Sequence, residues 1–380
     1  MSGGMGTTMN YIISELVRSS DYFYADEDKQ REITVKLLAE AFQFHRDNNK
    51  YYRELCELNA AMDLTVESIA DISRIPLVDI NQFKQADSAK LLSVRLSEIE
   101  FEMRSTGTTG TPSISRRDHI TCNNALALLG GLYREFFKVV NGVGIYFSTS
   151  PEEMPEMGMI KALNFLNAGF DAHDFLVRGV SFDHQRAIDD IEKWEGKFTR
   201  YFAGAPFLLN MFLDYLKLNN KKLKLDKNSL IITLGGWKRY TGIQISREEM
   251  AEKCREYLGV DAGQIRDMYG LVECNTLAIE CEHNVKHIPA TAYMSIRSME
   301  NPLTEVNDGE HGLVAILDPS SHSYPSFILT EDIGVMERAK KCECGRCSDT
   351  IRIIGRAPKS ETGCCAVRLD RQMNEEQDQE

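Results

Sequence analysis

Residues 105–112 read Ser-Thr-Gly-Thr-Thr-Gly-Thr-Pro, a run whose residue types suit it to hold a phosphate. Ser105, Thr106, Thr108 and Thr109 supply hydroxyl donors. Gly107 and Gly110 let the backbone take φ > 0 and bring its N–H groups close to an anion. No Gly-Lys-Ser/Thr closes the run, and its glycines lack dinucleotide-fingerprint spacing, so it is neither of those phosphate loops. The same composition also suits a surface linker. Downstream, Tyr269, Gly270 and Glu273 share one short turn. A tyrosine can stack on a purine, and a glutamate can hold the Mg²⁺ that accompanies nucleotide phosphates. Asp332, in Thr-Glu-Asp-Ile-Gly, offers a carboxylate to both hydroxyls of a ribose, and Arg356 offers a cation to phosphate or carboxylate. Taken singly, Tyr269 reads as a core aromatic and Asp332 as a turn residue. Their order along the chain is what makes them a set.

A second chemistry lies in the ten cysteines. Cys56, Cys122 and Cys254 stand among apolar neighbours and are expected to be buried packing residues. The others fall between Cys274 and Cys365. The spacing of Cys281 and His287, then Cys342 and Cys344, suits a tetrahedral structural Zn²⁺, with Cys347 and His283 as substitutes. So thiolate-rich a set would saturate the metal, which excludes hydrolytic work. The other reading is a group of free packing thiols.

These residues need elements to position them. The chain has 380 residues, 44 Lys+Arg against 57 Asp+Glu and a net charge of −13, which argues against a nucleic-acid partner. With 43% hydrophobic and 27% charged residues the protein reads as soluble and globular. It shows no apolar run of membrane-spanning length and no signal peptide, so a reducing, cytoplasmic location is expected. Helical periodicity covers 10–60, and 70–84 reads as a connector turning at Pro76. Strands are expected at 99–104, 143–148, 198–202 and 230–234, and helices at 122–137, 182–194, from Pro206, and at 246–258 with Ser246 as N-cap. The alternation predicts an α/β fold, a mostly parallel sheet flanked by helices, with ligands beyond the carboxyl ends of its strands. Short extended pieces at 312–317, 326–329, 334–337 and 350–354 predict a β-rich subregion over about 290–356.

The ordered set, a Gly-Thr-Thr-Gly loop, then Tyr-Gly-x-x-Glu, then Asp-x-Gly, then Gly-Arg, resembles the adenylate-forming superfamily, which activates carboxylates with ATP as acyl-adenylates. Gly235-Gly-Trp-Lys238, Ile265-Arg-Asp267 with Val272-Glu-Cys-Asn-Thr276, Tyr324-Pro-Ser-Phe327 with Thr330–Gly334, and Phe42-Gln-Phe-His45 narrow this to the acyl-protein synthetase (LuxE-like) family. Phenylacetate–CoA ligase-like enzymes are the next relatives, and some carry a similar, in places metal-bearing, turn at Cys342–Arg346. The resemblance spans about residues 10–367.

The resemblance implies that 105–110 closes over the ATP phosphates and that Tyr269 and Gly270 line the adenine. Glu273 would bind Mg²⁺, Asp332 the ribose, and Arg356 the nucleotide. Gly235, Gly236 and Trp237 would border the acyl pocket, with Lys238 facing the carboxylate or phosphates. Ser113 stands where many members carry lysine, and Arg116 or Arg117 is the candidate replacement. It further implies the superfamily's large domain (10–356) without its mobile lid, preceded by a disordered lead-in (1–9). A cysteine arm (357–371) and a disordered acidic tail (372–380) would follow. An arm cysteine would accept the acyl group as a thioester for an acyl-CoA-reductase-like protein or a carrier. Counting from Arg356 points to Cys365; anchoring on Gly363 points to Cys364. The alternatives are a ligase passing the acyl group directly to CoA or an acyl carrier protein, and a non-catalytic docking subunit.

Overall fold

The computed structural model describes Ile13, Leu16 and residues 20–105, 111–139, 142–179, 181–236, 244–339 and 341–357. The first helix, α1 (Glu27–Asn48), opens where the Asp26 carboxylate accepts from the Lys29 N–H. It stops at Asn49, whose backbone turns extended and whose side chain caps α2 (Lys50–Leu58). The helical stretch expected over 10–60 is therefore broken at Asn49. A single turn, α3 (Ile69–Ile72), with a Ser68/Asp71 capping box, leads to β1 (Val78–Asp79). Next come β2 (Ile99–Arg104) and β3 (Ile114–Asp118), an antiparallel pair whose connection contains the glycine-rich run.

Asp118 caps α4 (His119–Phe137), and the chain then alternates. In order come β4 (Gly142–Phe147), α5 (Gly158–Leu166), β5 (Ala172–Phe175), and the short antiparallel pair β6 (Val177–Arg178) and β7 (Ser181–Phe182). They are followed by α6 (His184–Lys193), β8 (Thr199–Gly204), α7 (Pro206–Leu218), β9 (Leu230–Leu234), α8 (Arg247–Leu258) and β10 (Ile265–Tyr269). Ser246 caps α8 as expected, and α8 ends at Gly259 with φ of 67°. The rest is extended: β11 (Ala278–Glu280), β12 (Lys286–His287), β13 (Tyr293–Arg297), β14 (Gly312–Leu317), β15 (Phe327–Glu337) and β16 (Thr350–Arg356).

One twelve-stranded sheet takes in most of these, in the order β13-β14-β15-β16-β12-β11-β10-β9-β8-β4-β5, with β1 paired to β15. Strands β5, β4, β8, β9 and β10 run parallel; from β10 to β13 the neighbours are antiparallel. The change falls at β10/β11, before residue 290, because the short loop between them returns the chain directly beside itself. A parallel neighbour would need a crossover. The pieces expected at 326–329 and 334–337 are one strand, β15, with a register shift at Ile333/Gly334. Strands β3 and β5 and helix α5 lacked a legible pattern, and Cys122 is half-buried where burial was expected.

Helices cover both faces of the parallel half. Phe147, Phe202 and Phe212 pack with α6, α7 and α8 in one cluster, while Tyr146, Tyr201 and Ile232 pack with α4 and α5 in another. The N-terminal helices join the antiparallel strands in a third cluster. Among the described residues no helix is long and apolar enough to cross a membrane.

His45 ties α1 to this third region. Its ring is fully buried, with Nδ1 2.7 Å from Ser93 Oγ and Nε2 3.0 Å from the Ser321 carbonyl. A carbonyl only accepts, so Nε2 carries the proton and Nδ1 accepts from the serine. Burial pushes the ring down to about 3, against an opposing pull from the Ser321 carbonyl. The unfolded chain, titrating near 6.5, takes up a proton that the folded ring refuses. Stability is therefore full above about pH 6.5 and falls as the pH drops toward 3. Thermal melts should show a smaller loss of midpoint between pH 7 and pH 5 in a His45→Gln variant than in the wild type.

Candidate functional site

The site is built at the end of β10, where parallel and antiparallel halves meet. Tyr269, last residue of β10, is buried, and its hydroxyl donates to Asp332 Oδ2 at 2.9 Å. Burial, then the adjacent Asp332 charge, push the phenol up, so it remains a donor. Asp332, on β15, faces Arg356 on β16 in register, and Arg356 Nε donates to Asp332 Oδ1 at 3.3 Å. Tyr269, Asp332 and Arg356 thus form one hydrogen-bonded set, as their order along the chain suggested. Glu331 lies 3.8 Å from the Arg356 guanidinium. Tyr269 meets Asp332 through its hydroxyl, a contact that sequence reading had not assigned to it.

Gly270 follows without room for a side chain. A Cβ there would stand 2.3 Å from Leu277 Cδ2 and 3.2 Å from the Thr276 carbonyl. This close approach folds residues 270–277 back on themselves and carries Glu273 into the interior. The Glu273 carbonyl accepts from Ser326 Oγ at 2.8 Å.

Two buried charges hold this loop. Arg117 on β3 donates through Nη2 to the carbonyls of Val272 at 2.7 Å and Cys274 at 3.2 Å, and through Nη1 to Asn275 Oδ1. Asp318 accepts from the backbone N–H groups of Asn275 at 2.6 Å and Thr276 at 2.8 Å. The suggestion that Arg116 or Arg117 replaces a phosphate-facing lysine is not what their contacts show. Arg117 is committed to this loop, and Arg116 to Glu102 and Ser88. The reason is β alternation and pairing across the hairpin, which aim these neighbours at different partners.

Arg117 also joins the site to the glycine-rich hairpin. The stalk is closed by Ser105 N–H donating to the Ser113 carbonyl at 3.1 Å and Ser113 N–H donating to Ser105 Oγ at 2.9 Å. At the N-terminus of α5, a Cβ on Gly158 would meet Val272 at 2.7 Å and Met103 at 3.8 Å. The hairpin stalk and the Glu273 loop therefore pack against the same helix end. Thr106, Gly107, Thr108, Thr109 and Gly110 themselves lie outside the described residues, as do Trp237, Lys238, Cys364 and Cys365. Gly235 and Gly236, after β9, have φ of 80° and 62°, a left-handed turn that excludes most side chains. Met159 of α5 stands 3.2 Å from where a Gly235 Cβ would lie.

The predicted metal quartet comes together. One ligand atom from each of Cys281, His287, Cys342 and Cys344 lies within 4.8 Å of the others. Cys281 Sγ is 3.8 Å from Cys342 Sγ, and Cys344 Sγ is 3.4 Å from His287 Nε2. His287 Nδ1 is 2.8 Å from Ser348 Oγ, which fixes the ring with Nε2 toward the sulfurs. The substitutes point elsewhere: Cys347 Sγ is directed to the Gly345 carbonyl, and His283 Nδ1 lies 3.3 Å from Glu343. Burial pushes the Cys281 thiol up to about 12, which a bound cation would reverse by holding the thiolate.

Sequence reading missed the supporting polar groups, Asp318 among them. It also missed Asp118, whose Oδ2 lies 2.6 Å from His322 Nδ1 and whose Oδ1 accepts from Ser323 Oγ at 2.8 Å. Burial alone would raise Asp118, but its bonds with His322 and Thr121 hold it at about 2. The His322 ring stacks on Phe44, centroids 4.5 Å apart, which locks α1 against the start of α4. The two residues lie 204 positions apart in the chain, and no local pattern signals the pair.

Replacing Arg117 by methionine keeps the packed stem and strands three acceptors. At about 1–3 kcal/mol for each buried unsatisfied group, a loss of several kcal/mol is expected. The urea midpoint should fall accordingly, and Arg117→Lys should recover only part of it.

The chain matches the family model described as "Acyl-protein synthetase, LuxE" over residues 6–141 and 178–374. It is 28% identical over 323 residues to a long-chain-fatty-acid–luciferin-component ligase of Aliivibrio fischeri, spanning 83% of this chain and 82% of that protein. To the protein of the same description from Vibrio harveyi it is 24% identical over 352 residues, with coverage of 90% and 88%. Its fold matches that of a 2-hydroxyisobutyryl-CoA ligase with a TM-score of 0.70 at 14% identity, covering 89% of this chain and 70% of that one. At such low identity the likeness speaks to the fold alone, and that fold is the one adenylate-forming ligases share. The family match takes in most of the residues and both regions that carry the site, and the chain belongs to the LuxE family of acyl-protein synthetases.

Proposed function

We propose that this chain activates a fatty acid with ATP as an acyl-adenylate and then takes the acyl group onto its own C-terminal cysteine. The observation that carries this reading is the bonded set Tyr269–Asp332–Arg356 beside a Glu273 loop clamped to the stalk of the glycine-rich hairpin. Asp332, held at both oxygens, is oriented to exchange its bonds for the two hydroxyls of a ribose, with Arg356 balancing its charge. Residues 105–110 would wrap the phosphates, and Tyr269 with Gly270 would border the adenine. Glu273 would hold Mg²⁺, which supplies charge neutralisation at the phosphates when bound. Gly235, Gly236 and Trp237 would border the acyl chain, with Lys238 facing the reacting carboxylate.

In the first step a carboxylate oxygen attacks the α-phosphorus and pyrophosphate leaves, forming the mixed anhydride. The arm cysteine, Cys365 with Cys364 as the alternative, then attacks the acyl carbon as thiolate, and AMP leaves. The thioester would be handed to an acyl-CoA-reductase-like protein or a carrier.

Cys281, His287, Cys342 and Cys344 would hold a structural Zn²⁺. Tetrahedral bonds of about 2.3 Å to sulfur and about 2.0 Å to nitrogen place two sulfurs about 3.8 Å apart and a sulfur and nitrogen about 3.5 Å apart. The observed 3.8 Å and 3.4 Å match this. The purified protein should carry one equivalent of zinc, and a Cys281→Ser/Cys342→Ser variant should lose both it and several degrees of thermal midpoint. Metal-free protein indifferent to chelators would establish packing thiols instead.

Carboxylate-dependent ATP–pyrophosphate exchange tests the first step, with a panel of acids of graded length. Loss of bonds to a charged acceptor, worth about 1.5–3 kcal/mol, should cost Asp332→Asn roughly ten- to a hundredfold in kcat/KM for ATP. The Cys364→Ser/Cys365→Ser variant should keep exchange and lose the acyl-protein adduct seen by mass spectrometry. If it still forms a CoA thioester at the full rate, the chain is a direct CoA ligase. Absence of exchange with every acid would leave a docking subunit.

A further inference from the structure

Away from the nucleotide residues, a cavity of about 370 Å³ opens between α2, the 73–77 segment, β1, the β13–β14 turn and β15. Leu55, Ala61, Pro76, Leu77, Leu303 and Leu329 give it apolar walls. Leu329 alternates with Thr330 and Asp332 along β15, so the cavity lies behind the strand face that carries Asp332.

Two observations connect this cavity to the arm. Ala357 N–H donates to the Glu331 carbonyl at 2.9 Å, pinning the chain beside β15. Ala357 also packs in a small cluster with Leu77 and Leu329, both of which wall the cavity. Cys365 is eight residues further on. At about 3.3–3.6 Å per extended residue it reaches some 26–29 Å from Ala357. That radius takes in both the cavity and Asp332, which pairs with the residue just before Ala357.

Charge decides what fits inside. Arg297 donates to Ser295 Oγ and the Ser73 carbonyl, and its Nη2, which makes no hydrogen bond, is ion-paired with Glu305 at 3.2 Å. Arg74, on the rim, is exposed and lies 3.8 Å from Asp71. The carboxyl group of Asp79, also in the lining, would repel a carboxylate when ionised. A free carboxylate here would compete with Glu305 and Asp71 for cations already ion-paired and would face the Asp79 carboxyl, whereas a thioester brings no charge. At roughly 30 Å³ for a group the size of a water, the cavity accommodates about a dozen methylenes.

We infer that this cavity houses the alkyl chain of the acyl group once it is bound to the arm cysteine, folding the loaded arm back beside β15 until a partner takes the acyl group. The inference rests on the self-acylation reading above.

A long-chain acid with a terminal diazirine tests it. The full chain is loaded with ATP, Mg²⁺ and this acid, arm acylation is confirmed by mass spectrometry, and crosslinks are mapped after illumination. Crosslinks should fall on Leu55, Leu77 and Leu329. Leu77→Trp, which fills the cavity, should load to the same extent, crosslink there several-fold less, and lose its thioester to hydroxylamine several-fold faster. Leu303→Trp, on the exposed rim, gives the same comparison if Leu77→Trp does not fold. A loaded arm crosslinking only elsewhere overturns the inference while leaving self-acylation standing. Labelling of the cavity by the free acid without ATP overturns it in favour of a free-acid site. A chain that never acylates defeats the underlying reading, and the inference with it.

Discussion

The site depends on a guanidinium with nowhere else to go. Arg117 is almost fully buried, and burying such a charge is tolerable only when hydrogen bonds surround it. Ser115 Oγ accepts from Nε, and the other bonds come from the carbonyls of Val272 and Cys274 and from the Asn275 side chain, so the cost of burial becomes a requirement on the shape of residues 270–277. Asp318 imposes the complementary requirement from the donor side, taking the N–H groups of Asn275 and Thr276. One charge of each sign thus grips one loop. Because Arg117 belongs to β3, the strand that leaves the glycine-rich run, the stalk of that hairpin and the Glu273 loop are joined through it.

Strand β15 distributes roles by alternation. One face carries Thr330 and Asp332 toward Tyr269; the other carries Leu329 and Glu331 toward the cavity and the departing chain. Pairing of β15 with β16 brings Arg356 opposite Asp332 and leaves Ala357 next to Glu331. A single antiparallel pairing therefore decides both the neutralisation of the aspartate and the point from which the C-terminal residues set out. The register shift at Ile333/Gly334 is where this pairing is adjusted.

The thiol cluster is joined to the rest through electrostatics as well as through strands. Arg346, in the turn between Cys344 and Cys347, donates through Nε to Glu135 at 3.0 Å and lies over the Phe136 ring at 4.5 Å. Glu135 also accepts from Tyr24. The Cys/His turn is thus fastened to the end of α4, the helix that begins at Asp118.

The residue types and their order along the chain determined the family, the alternation of helix and strand from α6 to α8, the set Tyr269, Asp332 and Arg356, and the quartet Cys281, His287, Cys342 and Cys344. Those are legible because chemistry of this kind needs particular side chains, and parallel strands buried on both faces need continuous apolar runs. Tertiary structure alone decided that Tyr269 meets Asp332 through its hydroxyl, that Arg117 grips a loop instead of facing phosphate, and that the 326–337 pieces are one strand. It also decided that His45 is buried between Ser93 and the Ser321 carbonyl and that a cavity lies behind Leu329. Each of these depends on which distant backbone groups come within about 3 Å, a consequence of strand register and long-range burial. Local pattern carries no record of such partners, since Arg117 and Arg116 look alike in the chain and differ only in what faces them.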